Sequence, residues 1–475
     1  MMGPEYSRPE TPAETATSFV HASEPTEGID DVEEPDRWWE RFGDPVTADL
    51  IRQALEGNYD LRASAARVLQ AREGLSEAKG RLWPEVSYGI TRDRSKRYFN
   101  FGGMGGEPNI PGFPSFSGGF SSLTTTWSQD VSVSYLVDFW GKLRRARRAA
   151  WEDLLASEAN RQALTNSTIA LVIQARIDVA VAQRRLSLAR ANIESLQNTL
   201  EITERRNRAG LVGPVDVRLA RANLEGARAQ EPAIASALAL AQHSLDVLVG
   251  RRPGASGGPP ETLPELPELE SAPAGVPGAL LDRRPDVRAA EFALRAANER
   301  VGASIAQLYP DLVLTASYGR SSDAWEDIWK SFSETYSAMF NLAQPIFRGG
   351  QLRAQVRAAK ARYEEAAAVY GGVVLDAMRQ VEDALIGEQL LRRQLEHVQL
   401  QLQESQAAEH LSRRRYDQGV EGLLTVLESQ RRRRSAEEQV TILKGQIWTN
   451  RVNLHLALGG DWAGAQAVES QVAKQ

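Results

Sequence analysis

The chain has 475 residues, 25% charged and 7% aromatic, with a mean hydropathy of −0.38, so no segment reads as apolar enough for a transmembrane helix and the whole reads as long and thin rather than as a globular enzyme. It contains no cysteine, which excludes disulfides, thiolate metal sites and Cys nucleophiles. A net charge of −6 points to no particular partner.

Residues 1–45 form an extended N-terminal arm, rich in proline and carrying 9 acids against one Arg in its first 35 positions. The Met1-Met2 start ahead of GPEYSRP reads as an expression start placed near a mature N-terminus. After WWERFGDP (Trp38 to Pro45), a helix is predicted over 46–80, with Ala54, Leu61, Ala65 and Leu69 on its apolar stripe. Val86, Tyr88 and Ile90 then alternate with Ser87, Gly89 and Thr91, and the chain returns with Val131, Val133, Tyr135 and Val137 alternating with Ser132, Ser134 and Leu136. This is a β-hairpin at about 84–139, with a Gly/Pro/Phe-rich loop from about Asn100 to Ser122.

From Leu143 to Arg208 no proline interrupts a helical pattern of 66 residues, roughly 100 Å at about 1.5 Å per residue. Leu186, Ile193 and Leu200, and Ala189, Leu196 and Thr203, recur every seven positions, as a narrow coiled-coil seam does. A glycine-rich turn with Gly210 and Gly213 leads into a returning helix to about 250. Residues 251–277 hold 7 of the 22 prolines and read as an irregular linker.

Residues 278–460 then repeat the unit. Asp60 and Trp83 precede Asp286 and Tyr309 by 226 positions; Gly210, Val215 and Gly250 precede Gly419, Leu424 and Gly459 by 209. The second copy has a helix, a hairpin at about 311–345, a long helix, a turn with Gly419 and Gly422, and a returning helix. The first copy carries 17 extra residues, assigned to its hairpin loop, and 461–475 is a C-terminal tail.

Four amphipathic strands cannot close a barrel, and an open sheet exposes its edges. Two copies would give eight strands around a filled interior; three give twelve around a wet lumen, with Val133, Tyr135, Leu314 and Phe340 facing lipid. The fold class predicted is mainly α with a membrane β-barrel: a coiled-coil α-barrel joined to a twelve-stranded trimeric transmembrane barrel, from two internal repeats per chain.

LLDRRPDVRAAE (Leu280 to Glu291), WWERFGDP, GPEYSRP, VDFWGK (Val137 to Lys142) and PIFRGGQLRAQ (Pro345 to Gln355) resemble the outer-membrane efflux protein family, the TolC-like channels, in the lipoprotein branch typified by OprM. The resemblance runs in order from residue 3 to about 460. It implies a homotrimer in the outer membrane of a Gram-negative bacterium, extending into the periplasm as a passive exit duct for small molecules such as drugs. It also implies a periplasmic adaptor docked on the tips at Gly210, Gly213, Gly419 and Gly422, and an inner-membrane pump of the RND type. The branch carries a lipidated Cys just before its GP-[DE]-Y motif; Met2 stands there, and the expectation is a replaced Cys and a lipid anchor. By the same resemblance the tips form a gate, with Tyr416 latched to Asp216 and Glu428 placed to ring the constriction. Two departures bear on this gate: Glu421 stands where an Arg is expected, and Thr425 replaces a ring acid. The Arg link is therefore expected to be missing.

Nothing in the residues indicates an enzyme or a cofactor. The five histidines have no metal-like spacing, and there is no Walker loop. Arg144, Arg145, Arg147, Arg148 and Arg431 to Arg434 read as solvated faces and ion pairs on Glu-rich helices rather than as a nucleic-acid surface. A type I protein-secretion channel and a soluble coiled-coil scaffold remain as alternatives.

Overall fold

The computed structural model describes residues 2–16, 18–21, 39, 44–100, 119–254 and 277–459. Most of the predicted arm and of the 251–277 linker, and all of the 461–475 tail, lie outside the described residues.

The elements run in two rounds. In the first, α1 (Pro12–Thr15), α2 (Pro45–Gly57) and α3 (Tyr59–Gly80) lead to β1 (Glu85–Asn100), β2 (Gly119–Val137), α4 (Lys142–Arg208) and α5 (Pro214–Leu248). In the second, α6 (Ala279–Arg283) and α7 (Pro285–Ala306) lead to β3 (Asp311–Ser322), β4 (Glu334–Ala343), α8 (Gln351–Asp417) and α9 (Leu423–Ala457). The two long helices have 67 residues each and the two returning helices 35 each, so the repeat holds in element length as well as in motif.

Two contact-defined units divide these elements. One contains Met1–Ser7, Ala71–Leu154 and Leu294–Glu365. It is built on a four-stranded antiparallel sheet of order β1-β2-β3-β4. The register aligns the apolar positions of the four strands near the helix-bearing end. Val86 faces Val133 and Val133 faces Ala316; Tyr135 faces Leu314 and Leu314 faces Phe340. Because side chains alternate with period two, one face is apolar across all four strands from the Val137–Leu312–Leu342 row to the Tyr88–Val131–Tyr318–Tyr336 row, and a polar row of Gln129, Arg320 and Glu334 follows beside Ile90. The other carries Ser87, Ser132, Thr315, Ser317 and Ser337, with Ser87 bonded to Ser132 at 2.7 Å and Ser317 to Ser337 at 2.8 Å.

The strands correct one expectation. β1 and β2 have 16 and 19 residues against 12 and 10 in β3 and β4, so most of the surplus of the first copy lies in strand rather than loop. Alternation is lost after Ile90 because Arg92 to Arg97 are polar on both faces, yet cross-strand pairing continues to Asn100 opposite Gly119.

The VDFWGK stretch turns the sheet into α4. Asp138 accepts the backbone N–H groups of Leu143 and Arg144 at 3.0 and 2.9 Å, occupying donors that a helix start leaves free. Trp140 donates its indole N–H to the carbonyl of Pro310 at 3.0 Å, and Lys142 pairs with Asp311 at 3.2 Å, which ties this turn to the YPD stretch of the second copy.

The other unit contains Arg8–Gln70, Leu155–Ala293 and Ala366–Gln475. One core of this unit joins Leu50, Ile51 and Ala54 of α2 to Ile169, Val172, Ile173, Ile177 and Val179 of α4, Leu245 of α5, and Trp448 and Val452 of α9. The composition reading needs a correction here. α4 does contain an 18-residue stretch apolar enough to cross a membrane, at mean hydropathy 1.2 and 61% buried. Its side chains meet three other helices, which is what a core helix needs.

The helix predicted over 46–80 is two helices, broken at Asn58. The Asn58 carboxamide oxygen accepts from Asp60 and Leu61 N–H at 2.8 and 3.1 Å, capping α3, while its NH2 donates to the carbonyl of Leu248 at the end of α5 at 2.9 Å. The second copy breaks at Arg284, 226 residues on, and the Arg284 guanidinium donates to the carbonyl of Ala457 at the end of α9 at 3.0 Å. The same junction is thus made twice, by an amide and by a guanidinium. The predicted stripe of the first helix also fails in part: Ala54 is buried, whereas Ala65 and Leu69 are exposed.

Candidate functional site

The GPEYSRP arm and the LLDRRPDVRAAE stretch bind each other. Arg8 reaches Glu291 at 2.8 Å and Asp282 at 3.0 Å, and the Glu291 hydrogen bond, against some burial, raises the guanidinium pKa further. Further on, the Glu382 carboxylate accepts N–H bonds from Val20 and His21 at 2.6 and 3.1 Å and meets the His21 ring at 2.7 Å. Burial acts to raise the Glu382 pKa, but these bonds prevail and it is lowered.

The helix tips are two copies of one turn. Gly210 (φ 72°) and Gly419 (φ 78°) take left-handed backbone, where a Cβ would clash. After Gly210, Leu211 N–H bonds the Arg206 carbonyl at 2.9 Å; after Gly419, Val420 N–H bonds the Arg415 carbonyl at 2.9 Å. Gly213 and Gly422 have extended backbone at the N-caps of α5 and α9. Leu211 and Val215 on one tip, and Val420 and Leu424 on the other, are 65–68% exposed at equivalent positions.

Behind the tips the two hairpins share an apolar cluster of Leu196, Ala220, Leu224, Ala227, Tyr416, Leu423, Val426 and Leu427. Here the structure places the expected gate residues differently from the latch the resemblance implies. Tyr416 is buried; its hydroxyl lies 3.4 Å from that of Thr203, and the Arg206 guanidinium sits 4.5 Å above its ring and donates to its carbonyl. Asp216 is in the first turn of α5, where an acid suits the helix dipole; in this chain Tyr416 is held by the end of α4 instead. Glu421 pairs with Arg415 at 3.4 Å and accepts from Thr425 at 3.0 Å.

Glu428 accepts from Arg431 and Arg432, both at 2.8 Å, and these guanidinium groups, Arg431 first, draw its pKa down to about 2. Much of the basic runs is ion-paired: Arg144 joins Asp138, Arg145 joins Glu299 at 2.9 Å, and Arg433 joins Glu409 and Glu437. Arg206 is the residue that sequence reading missed. Its signal was its repeat equivalent Arg415, 209 positions on, since both carbonyls close a tip turn.

In the sheet unit, Val133, Tyr135, Leu314 and Phe340 share the apolar face, with Leu314 39% and Phe340 66% exposed. Aromatic residues mark both ends of that face. At the helix-bearing end, Trp140 stacks on Tyr309 at 4.8 Å beside Phe139; at the loop end, Trp127 meets Trp325 at 5.1 Å and Trp325 meets Trp329 at 6.4 Å. Trp127 to Val137 is about 34 Å of strand, or about 24–28 Å of height at a tilt of about 35–45°. Outer-membrane barrels have an apolar band of about 25 Å between aromatic girdles. Among the described residues no group of three or more His, Asp or Glu could hold a metal ion.

An apolar strand face girdled by aromatics, on a chain otherwise made of long paired helices, defines a channel-forming outer-membrane protein. The family model described as outer membrane efflux protein matches residues 50–251 and again 276–460, and the chain belongs to that family. It is 32% identical over 435 residues to the pyoverdine export outer membrane protein OpmQ of Pseudomonas putida, covering 90% of this chain and 88% of that one. It is 30% identical over 460 residues to the antibiotic efflux pump outer membrane protein ArpC of Pseudomonas putida, covering 97% and 92%. Among solved structures, the outer-membrane channel OprN matches at TM-score 0.85 and 28% identity, over 97% of this chain and 99% of that one. The open state of the Neisseria gonorrhoeae MtrE channel matches at 0.79 and 29%, over 97% and 98%. The chain is an outer-membrane efflux channel, a passive exit duct that extends into the periplasm, and not an enzyme.

Proposed function

We propose that three copies close one twelve-stranded barrel and serve as the outer-membrane stage of a tripartite pump that exports small organic molecules. The observation that carries this reading is the four-stranded sheet, in which, among the described residues, β1 and β4 each pair on one side only while one face is apolar from the helix-bearing end up to the Tyr88–Val131–Tyr318–Tyr336 row. In a bilayer such edges must be closed. Two copies would give a barrel filled by its own side chains; three give a lumen lined by the Ser and Thr face. Val133, Tyr135, Leu314 and Phe340 then contact lipid. Leu69, Leu240 and Val369, 56–65% exposed, supply apolar surface for neighbouring copies.

Selection and energy belong to an inner-membrane RND-type pump, and a periplasmic adaptor docks on the tips. The exposed pairs Leu211 and Val215, and Val420 and Leu424, offer an adaptor two matching apolar contacts, and the glycines let backbone approach backbone. The gate lies just behind, with Tyr416 and Arg206 joining the two hairpins and Asp216 and Glu428 as charged groups near the constriction. The mass of the detergent-extracted protein tests the assembly: a trimer is expected, and a stable monomer would overturn the twelve-strand barrel. Gly210→Val with Gly419→Val should abolish drug resistance and leave the trimer intact. Normal pumping by that variant would remove the tips as the docking site.

A further inference from the structure

The outward face of β1 changes character at a definite height. Val86, Tyr88 and Ile90 lie on the apolar face; the next positions on the same face are Arg92, Arg94 and Lys96, all exposed. Arg92 sits opposite Trp127 with its guanidinium 4.8 Å from the indole, so the first cation is anchored on the aromatic girdle. Arg94 and Lys96 continue beyond it, spanning with Arg92 about 14 Å along the strand. They pass the end of β3, whose last residue Ser322 pairs with Trp127. Among the described residues neither Arg94 nor Lys96 has an ion-pair partner, whereas many helix arginines, Arg185, Arg431 and Arg433 among them, are ion-paired.

The loop end of the strands is opposite the end that joins α3, α4, α7 and α8, and in this family the helices are periplasmic. The row therefore stands at the outer leaflet, just above the lipid band. That leaflet is built of glycolipids whose sugars carry phosphate groups at the lipid–water boundary. Three cations in a line, one fixed by a Trp at that boundary, match such phosphates in charge and height.

We infer that Arg92, Arg94 and Lys96 form a binding stripe for the phosphates of the outer-leaflet glycolipid. The inference rests on the lipid-facing reading of Val133 and Leu314. A bound glycolipid would also cover the long projecting hairpin of β1 and β2, which extends past its neighbours.

The test uses the full-length channel, extracted from outer membranes in mild detergent, with glycolipid carry-over read by native mass spectrometry. Arg92→Gln with Arg94→Gln and Lys96→Gln should cut retained glycolipid by roughly tenfold or more. Arg97→Gln, on the opposite face of the same strand, should leave it unchanged. In phosphatidylcholine vesicles, diphosphoryl lipid A should raise the unfolding temperature of the unaltered channel more than lipid A lacking one phosphate. Equal retention by the triple variant, or equal stabilisation by phosphatidylglycerol vesicles, would overturn the stripe. Leu314→Arg separates the two readings: if it inserts normally, the face assignment fails; if it blocks insertion while the triple variant keeps its glycolipid, only the stripe fails.

Discussion

At the scale of single residues, the tip is organised by Arg206. Its guanidinium covers the buried ring of Tyr416 and holds the Tyr416 carbonyl, so it joins the end of α4 to the end of α8 in one contact. A partly desolvated cation–π contact of this kind contributes about 0.5–2 kcal/mol. Arg206→Ala should therefore loosen the tip, seen as raised single-channel conductance in planar bilayers and as entry of large antibiotics into cells. Unchanged conductance would place the closure elsewhere. Glu428 gives a pH prediction. Its pKa is depressed from 4.5 to about 2 by Arg431 and Arg432, so its interactions are complete above its unfolded pKa and are lost only as pH falls through about 2. Any cation preference it supplies should stay constant between about pH 5 and pH 8, and Glu428→Ala should shift reversal potentials towards anions at every pH in that window. A selectivity that titrates in that window must come from another group.

At the scale of elements, the two repeat junctions and the sheet faces carry the energetics. The Arg284 side chain is 6% exposed and serves the Ala457 carbonyl, Asp286 and Gln380 together. Removing it strands a buried carbonyl. Arg284→Ala should cost about 3–5 kcal/mol in thermal unfolding, whereas Asn58→Ala, which loses a cap, should cost about 1–2 kcal/mol. Similar small losses at both sites would mean that the junctions do not secure the returning helices. On the sheet, Leu314→Arg should cost about 2–4 kcal/mol if it lies near the bilayer midplane, while Ser132→Arg, on the opposite face, should alter conductance with little effect on insertion. The reverse pattern in an outer-membrane insertion assay would exchange the two faces.

At the scale of the whole molecule, the chain is one unit written twice, and the two writings diverge where their tasks diverge. Helix lengths are held at 67 and 35 residues in both copies, as two hairpins that share one tip cluster require. The strands are free to differ, and β1 and β2 outgrow β3 and β4. Three such chains supply twelve strands, and six tips would then face an adaptor. Removing the tips' exposed side chains with Leu211→Ser and Val420→Ser should weaken adaptor capture in a pull-down from solubilised membranes without changing the mass of the channel. Loss of the trimer in that variant would show that the tips hold copies together instead.

Repeats, strand faces, tip glycines and the long helices were legible in the sequence because each is a local or periodic property of the chain. Alternation at Val131 to Val137 assigns one apolar face whatever its neighbours are, and a left-handed turn needs Gly210 and Gly419 whatever surrounds it. The family motifs were legible too, but their work was not. That Asp138 caps α4, that Arg8 seats on Glu291 and that Arg284 holds the last carbonyl of α9 are contacts across the fold. The break at Asn58 escaped notice because helical periodicity continues through it, and only the approach of α5 gives its amide a second partner. Beyond Ile90 the strand carries no apolar signal, since Arg92 to Arg97 are all polar, yet pairing with β2 satisfies their backbone. Arg206 escaped because its partner Tyr416 lies 210 residues away, and no period along the chain records which helix ends will meet.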